Sequence, residues 1–397
     1  MALLFNFIFI NLILLKKCHP CFNYSHINDY IHDNPEIGLK EFKAAKLLTD
    51  TLKDNGFEVK TGVAGLDTAF EATYTTKPGG PTIGILAEYD ALEGMGHGCG
   101  HNCIAASAIG TALALVNTLK ETPVTIKVFG TPAEETTGGK INMVNAGLFD
   151  NCDVTLMTHP SDSTSTGVKY LALQDFTFTY KGEPAHAAAP QDGKSALDGA
   201  IAFFNGINAL RQFVDSDIRL HGIIRHGGDA SNVIPEKAVV EYTVRANNTE
   251  KLKKIAEKVK TIAQSSAVMN GIDLNIDEGN IFDNAIVVPE LANLLLNNAK
   301  LVGAERIIEA DEGGSTDFGN VSHKVPSECL DIAFVPDGTP GHTQEWVEAG
   351  KSPEGHKAVI TAAKAMALTA YDIIQNPELL QNIKKSFNKI TSSEKLN

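Results

Sequence analysis

The sequence is poor in cysteine and in basic residues, and each shortage excludes a class of protein. Only 6 of the 397 residues are cysteine, too sparse and too irregularly spaced for a disulfide framework. Lysine and arginine number 34 against 48 aspartate and glutamate residues, which gives a formal net charge of -14. We therefore expect a reducing, cytoplasmic setting, and neither nucleic acid nor a membrane as the main partner.

The first 26 residues differ in character from the rest of the chain. Residues 1–15 are apolar and are followed by two lysines, but they lack the basic start and the small-residue cleavage site of a secretory signal. The run is also shorter than the ~20 residues of a membrane-spanning helix. A signal or anchor, a buried helix and a mis-called start stay open. CHPC at 18–21 has the spacing of a redox or zinc pair but no second pair.

Apolar runs that alternate with helical patterns predict an α/β fold with a mostly parallel sheet. The expected helices cover residues 36–55, 102–120, 138–149, 289–302 and 353–375. In such sheets ligands bind at the carboxyl ends of the strands. Asp90, the pair Glu134 and Glu135, and His159 each follow a predicted apolar strand. We therefore expect these side chains to share one site.

The pattern changes between residues 168 and 283. There the order is strand, helix, two strands, helix and strand, which is typical of a ferredoxin-like α+β unit. We expect residues 168–283 to form a second domain inserted into the first, which comprises residues 27–167 and 284–380. The polar residues 381–397 are expected to form a fraying tail.

The segment from 88 to 103, EYDALEGMGHGCGHNC, concentrates metal-binding side chains among glycines. Thiolate and imidazole suit zinc or another first-row metal, and the glycines let Cys99 and His101 turn in one direction. The adjacent carboxylates of Glu134 and Glu135 are costly at a strand end unless a cation compensates them. A buried thiol, a helix-capping histidine or an acidic loop explains each feature singly, but together they indicate a metal site.

Four stretches, EYDALEGMGHGCGHN, GTPAEE, RHGGDASNVIP and GGSTDFGNVSH, together resemble the binuclear metallo-aminoacylase and carboxypeptidase superfamily. They are most similar to its amidohydrolase branch with the signature H-x-C-G-H-[DN], and within it to β-alanyl dipeptidases and p-aminobenzoyl-glutamate hydrolases. The resemblance runs from about residue 31 to 376. It implies a metallopeptidase catalytic domain whose inserted ferredoxin-like unit acts as a lid and dimerisation domain.

The resemblance also implies roles for individual residues. Two divalent ions, zinc in the first place and manganese as the alternative, would be bound by Cys99, His101, Glu135, His159 and His342. Glu134 would be the general base and Asp90 would support a ligand, while His186 of the inserted unit would assist the tetrahedral intermediate. Asn232 and Arg245 would bind the substrate carboxylate.

The implied activity is hydrolysis of an amide or peptide bond in an N-acyl amino acid or dipeptide with a free carboxylate. β-Alanyl dipeptides and p-aminobenzoyl-glutamate are the expected substrates. A hydroxide that bridges the two metal ions would attack the carbonyl carbon of the amide. The protein would be a homodimer formed through the inserted domain. A non-catalytic binder of amino-acid conjugates on the same fold is the alternative. A substitution at a metal ligand or at the general base would indicate such a binder, and the sequence keeps every one of these residues. Two departures from the family pattern are Asn102 in place of aspartate and Glu93 in place of proline.

Overall fold

The computed structural model describes residues 24–394, so the apolar run 1–15 and the CHPC pair lie outside the described residues. The chain divides into two units. The first comprises the described residues through Lys169 together with Ala285–Glu312 and Asn320–Ser393. The second comprises Tyr170–Asn284, Gly313–Gly319 and Glu394. Within residues 24–394, no helix combines the length and the apolarity needed to cross a membrane.

The helices and strands have the following bounds. The helices are α1 (Tyr24–Asp33), α2 (Phe42–Asp54), α3 (His101–Thr118), α4 (Gly139–Asn145), α5 (Ala196–Leu210), α6 (Thr249–Asn270), α7 (Pro289–Leu301), α8 (Phe318–Ser322), α9 (Gln344–Ala349), α10 (Pro353–Gln375) and α11 (Pro377–Glu394). The strands are β1 (Glu58–Thr61), β2 (Phe70–Thr75), β3 (Thr82–Ala87), β4 (Thr125–Gly130), β5 (Val154–Ser161), β6 (Ala172–Lys181), β7 (Arg219–His226), β8 (Lys237–Ala246), β9 (Asp273–Phe282) and β10 (Ser327–Ala333). Short 3-10 turns lie at Val63–Gly65, Pro190–Asp192 and Arg211–Phe213.

The first unit contains a six-stranded sheet in the order β1-β2-β4-β3-β5-β10. The pairs β4–β3, β3–β5 and β5–β10 are parallel, whereas β1–β2 and β2–β4 are antiparallel. This confirms the expected mostly parallel α/β sheet. Helix α3 is buried along almost its whole length, and its many alanines allow it to pack closely within the core.

The second unit contains a four-stranded antiparallel sheet in the order β7-β8-β6-β9. Along the chain its elements follow the expected order β6-α5-β7-β8-α6-β9. Alternate residues of β8 are buried, including Val240, Tyr242 and Val244, because successive side chains of a strand point to opposite faces. At one edge of the sheet, β7 exposes Ile223 (50%) and Ile224 (39%).

The second unit is an insertion, and its two connections leave the first unit close together. A Cβ atom at Gly167 would lie 3.4 Å from Cγ1 of Val287, and Oγ1 of Thr166 donates a hydrogen bond of 2.9 Å to the carbonyl oxygen of Ala292. The segment Gly313–Gly319 also belongs to the second unit. There the backbone N–H of Leu171 donates to the carbonyl oxygen of Gly314 at 2.8 Å.

The carboxyl-terminal segment differs from the expected fraying tail, because residues Pro377–Glu394 form helix α11. Leu380, Ile383 and Phe387 are buried in the core of the first unit and recur at helical spacing. They form a narrow apolar stripe in an otherwise polar segment, which is why overall composition did not reveal the helix. The expected helix at 36–55 also begins later, at Phe42, because Leu39 has a positive φ of 65°.

Candidate metal centre

The predicted metal-binding residues of the first unit lie at the carboxyl ends of three adjacent strands. Asp90 follows β3, and Glu134 and Glu135 follow β4. His159 differs slightly from expectation, because β5 continues to Ser161 and therefore includes it. The pairs β4–β3 and β3–β5 are parallel, so their carboxyl ends meet at one edge of the sheet.

Glycines shape the turn that carries Cys99 and His101. Gly96 and Gly100 have positive φ angles of 89° and 75°, which residues with a side chain rarely adopt. A Cβ atom at Gly100 would also lie 2.8 Å from Cγ of Pro160. Helix α3 starts directly after Gly100, so His101 is its first residue. The turn therefore fixes the direction of both side chains.

His101 is oriented by a buried carboxylate. Its Nδ1 lies 3.0 Å from Oδ1 of Asp90, and neither side chain is exposed. The other carboxylate oxygen of Asp90 accepts a hydrogen bond of 3.0 Å from the backbone N–H of Glu135. Asp90 thus fixes the imidazole ring and the loop that carries the glutamates, as carboxylates behind metal-binding histidines commonly do.

The second ring nitrogen of His101 faces other electron donors. Its Nε2 lies 3.4 Å from Oε2 of Glu88 and 3.9 Å from Oε1 of Glu135. Among the described residues, neither Nε2 of His101 nor Oε1 of Glu135 has a hydrogen-bond partner, although both atoms are buried. With Nδ1 donating to Asp90, a neutral ring would present the Nε2 lone pair to these oxygens, and the repulsion between the facing acceptors favours a cation at this position. A proton on Nε2 supplies that charge to His101 alone, whereas a metal ion in its place supplies it to the whole donor set, so this donor set fits a metal ion.

The remaining predicted ligands complete the cluster. Sγ of Cys99 lies 3.5 Å from Nε2 of His159, and Nε2 of His342 lies 3.5 Å from Oε1 of Glu135. In three groups of side chains, the donor atoms lie within 4.8 Å of one another: Cys99 with His101 and His159, Cys99 with Glu135 and His342, and His101 with Glu134 and Glu135. Because the groups share Cys99, His101 and Glu135, the arrangement suits two neighbouring ions with common ligands.

The electrostatics of the cluster favour bound cations. Burial lowers the pKa of His101, but the negative charges of Asp90, Cys99 and Glu88 outweigh it and hold this pKa well above its usual range. Burial raises the pKa of the Cys99 thiol, so its thiolate needs a nearby positive charge. Burial also lowers the pKa of His159, and its Nδ1 lies 2.8 Å from the carbonyl oxygen of Pro160. A neutral His159 therefore directs its Nε2 lone pair at the cluster.

Sequence reasoning missed the ion pair between Lys140 and Glu88. Nζ of Lys140 lies 2.6 Å from Oε1 of Glu88, and both side chains are at most 1% exposed. Burial raises the pKa of Glu88, but the charges of Lys140 and His101 outweigh it and lower this pKa overall. The available signal was a lysine in the otherwise apolar start of helix α4.

The other predicted site residues belong to the second unit. His186 is exposed, and its Nδ1 accepts a hydrogen bond of 3.0 Å from the backbone N–H of Ala188. The N–H of Ala187 donates to the carbonyl oxygen of Asn232 at 3.0 Å, so His186 and Asn232 lie on paired segments. Nη1 of Arg245 donates to Oγ of Ser315 at 2.7 Å. Arg245 lies near the carboxyl end of β8, whereas Asn232 precedes the amino end of that strand.

An α/β sheet with thiol, imidazole and carboxylate donors at its carboxyl edge fits a metal-dependent α/β enzyme, and similarity to known proteins identifies its class. Residues 172–269 match the family model for a peptidase dimerisation domain. The chain is 37% identical over 380 residues to an Xaa-Arg dipeptidase of Mus musculus, with 91% of this chain and 88% of the relative covered. It is 30% identical over 450 residues to a p-aminobenzoyl-glutamate hydrolase chain of Escherichia coli, with coverages of 94% and 93%.

A solved Bacillus subtilis structure, a dinuclear metal binding peptidase from the M20 family, has a TM-score of 0.64 at 21% identity and covers 89% of this chain and 98% of its own. This chain belongs to the M20 metallopeptidase family. It is a metal-dependent peptidase or amidohydrolase, and its family membership supports divalent metal ions as the cofactor. The resemblance and the fold class expected from the sequence are confirmed.

Proposed function

We propose that the chain hydrolyses a dipeptide or an N-acyl amino acid with a free carboxylate at a centre of two divalent ions. One observation carries the proposal: Nε2 of His101 and Oε1 of Glu135 are buried, have no hydrogen-bond partner among the described residues and face each other at 3.9 Å, with Glu134 in the same cluster. The two relatives are named for a dipeptide and for p-aminobenzoyl-glutamate, which both join an amide bond to a carboxylate. The proposed ligands are Cys99, His101, Glu135, His159 and His342.

Different residues of the chain perform different steps of the proposed reaction. When bound, divalent ions polarise the substrate carbonyl and lower the pKa of a water molecule toward ~7. Glu134 accepts the proton of the attacking water and returns it to the leaving amine. Asp90 keeps Nδ1 of His101 protonated and so leaves Nε2 as the ligand atom. His186 stabilises the oxyanion that develops on the substrate.

The substrate-binding residues of the second unit support a dimer. Arg245 lies eight residues after Lys237 on β8, a separation of ~27 Å at ~3.4 Å per residue, whereas His186 and Asn232 lie beyond the Lys237 end. A dipeptide spans only ~7 Å. Arg245 of one chain therefore cannot contact the same substrate molecule as His186 and Asn232 of that chain. We propose that a second copy of the chain supplies either Arg245 or the pair His186 and Asn232.

The exposed edge strand β7 supports pairing through the inserted unit. An unpaired strand edge with exposed Ile223 and Ile224 is a template for addition of another strand, which a second copy of the chain would satisfy. The matched dimerisation-domain model covers this strand.

A thiolate and three histidines favour zinc over manganese in the proposed centre. Cys99 must stay reduced to serve as a ligand, which supports a reducing compartment such as the cytoplasm.

The test is amide hydrolysis by the purified protein with chelator, and with zinc or manganese restored. The substrates are β-alanyl-lysine, carnosine, an Xaa-Arg dipeptide, p-aminobenzoyl-glutamate and hippurate. We expect turnover that disappears with chelator and returns with metal. Binding of these compounds without any turnover, at full metal content by elemental analysis, would instead establish the binding-protein alternative.

A further inference from the structure

Glu41 has an unusual place among the acidic residues of the first unit. Its residue is fully buried, at 0% exposure. It immediately precedes helix α2, yet its side chain makes no capping hydrogen bond to that helix. Instead Oε2 accepts a hydrogen bond of 2.8 Å from Oγ1 of Thr68, and Oε1 accepts one of 2.9 Å from the backbone N–H of Ala133. The carboxylate therefore binds a distant loop rather than its own helix.

The loop that Glu41 binds is conformationally strained. Ala133 has a positive φ of 60°, which a residue with a Cβ atom rarely adopts. Such a conformation persists only where the surrounding contacts enforce it. Ala133 also directly precedes Glu134, so its backbone sets the direction in which the Glu134 side chain leaves the loop.

Two buried carboxylates hold the backbone on either side of Glu134. Glu41 accepts the N–H of the preceding residue, Ala133, and Asp90 accepts the N–H of the following residue, Glu135. Hydrogen bonds to an ionised acceptor are stronger and shorter than neutral ones. Burial raises the pKa of Glu41 to about 6, against the lowering effect of its hydrogen bonds, so enclosing this carboxyl group is costly.

We propose that Glu41 is a positioning residue for the reaction: it holds Ala133 in its left-handed conformation and so aims Glu134 at the metal centre. The inference rests on the proposed role of Glu134 as general base. Asp90 performs the complementary task on the ligand Glu135. Since a misplacement of ~1 Å can cost ~100-fold in rate, a backbone clamp one residue from the base controls kcat.

The principal test compares Glu41→Ala, Glu41→Gln and Glu328→Gln. Glu328 is the matched control, because it is also a buried carboxyl group of the first unit that accepts a backbone N–H, from Gly167 at 2.8 Å. We expect Glu41→Ala to lower kcat by ~100-fold with KM and metal content nearly unchanged. Glu41→Gln keeps an oxygen for the N–H of Ala133 and should recover most of kcat. Glu328→Gln should have the wild-type kcat.

A second readout does not depend on turnover. Hydrogen–deuterium exchange of the peptide containing Ala133 should quicken in Glu41→Ala and stay unchanged in Glu328→Gln. If Glu41→Ala fails to fold, Thr68→Val replaces it, since that change removes only the bond that orients the carboxylate. We then expect a smaller loss of kcat and faster exchange at Ala133.

Ala133→Gly in the Glu41→Ala background tests whether the conformation of residue 133 links Glu41 to the reaction. Glycine adopts the left-handed conformation without the strain of a Cβ atom, so we expect part of the lost kcat to return together with Tm. A rise in Tm without any recovery of kcat would overturn the proposal, as would a wild-type kcat in Glu41→Ala or Thr68→Val. Lack of metal-dependent turnover in the wild type would instead refute the proposed function. Full activity of Glu134→Gln would refute the base assignment itself.

Discussion

Nζ of Lys140 lies 2.6 Å from Oε1 of Glu88, and neither side chain is more than 1% exposed. The other carboxylate oxygen of Glu88 lies 3.4 Å from Nε2 of His101. Lys140 therefore places a positive charge next to Glu88, on the opposite side of that carboxylate from His101. Without it, Glu88 would be a buried carboxylate beside several others, a costly arrangement in the absence of a cation.

Replacing Lys140 with methionine should make the fold depend more strongly on metal. The variant leaves Glu88 uncompensated, which should cost about 3–5 kcal/mol without metal, and a bound divalent ion should recover part of that. Thermal unfolding with chelator, zinc or manganese measures the effect as a larger metal-induced rise in Tm than in the wild type. Lys140→Met combined with Glu88→Gln is the control and should restore the metal-free Tm. Equal rises in all three proteins would contradict the assignment.

Replacing Cys99 with alanine should release metal and abolish turnover together, because the thiolate belongs to two of the three donor groups. Elemental analysis after gel filtration measures the metal content. Cys103→Ala is the matched control, since Cys103 is another free cysteine of the same segment, buried where Cys99 is half-buried, and belongs to no donor group among the described residues. Full metal content in Cys99→Ala, or equal losses in both variants, would refute Cys99 as a ligand.

Glu134→Gln should keep its metal but lower kcat by about 100- to 10,000-fold, which is the usual contribution of general acid–base catalysis. The amide has nearly the shape of the carboxylate but cannot accept the proton. Glu135→Gln provides the contrast, because loss of a ligand should reduce metal affinity as well. If Glu134→Gln lost metal and Glu135→Gln did not, the two roles would have to be exchanged.

Mixing two inactive variants should restore activity if the substrate site is shared between copies. His186→Ala and Arg245→Ala are each expected to be nearly inactive. Random heterodimers of the two contain one complete site, so co-refolded protein should recover about one quarter of the wild-type activity. The two variants assayed without subunit exchange serve as the control. No recovery, with heterodimers verified by mass, would place both residues in the site of one chain.

Glu328 should make the protein less stable as the pH rises. Burial raises its pKa from 4.5 to about 8, so the folded state binds a proton that the unfolded state releases. This contribution to the free energy of unfolding is complete below about pH 4.5 and is lost as the pH rises through about 8. Glu328→Gln should therefore match the wild type in urea unfolding at pH 5 and exceed it at pH 9. A constant difference at every pH would contradict the shift.

The parts of the molecule that the sequence revealed are those with a local signal. The alternating burial of β8 and the helical spacing within α6 produce periodic patterns, so the order of elements in the inserted unit could be inferred. Asp90 and Glu135 follow strands, His159 lies near the carboxyl end of one, and all three carry side chains typical of a metal site. Their meeting at one edge of the sheet could be inferred because the carboxyl ends of parallel strands lie at the same edge.

The parts that the sequence did not reveal depend on contacts between distant residues. The hydrogen bond from Ala133 to Glu41 spans 92 positions. Lys140 lies on α4 and Glu88 directly follows β3, so the tertiary fold brings together two residues that are far apart in the sequence. A carboxylate before a helix predicts a cap, and nothing local in the sequence indicates that Glu41 binds another loop instead. The positive φ of Ala133 is likewise a result of tertiary packing, because alanine has no intrinsic preference for it.

The insertion has a consequence for protein engineering. Its two connections lie side by side at Gly167 and Val287, which invites exchange of residues 170–284 between relatives as a single block. Such a chimera would separate Arg245 from Ser315 and Leu171 from Gly314, because the segment 313–319 is encoded after the block yet belongs to the same unit. A functional swap therefore has to transplant two separate stretches of the gene, and the seven-residue one is the easier to overlook.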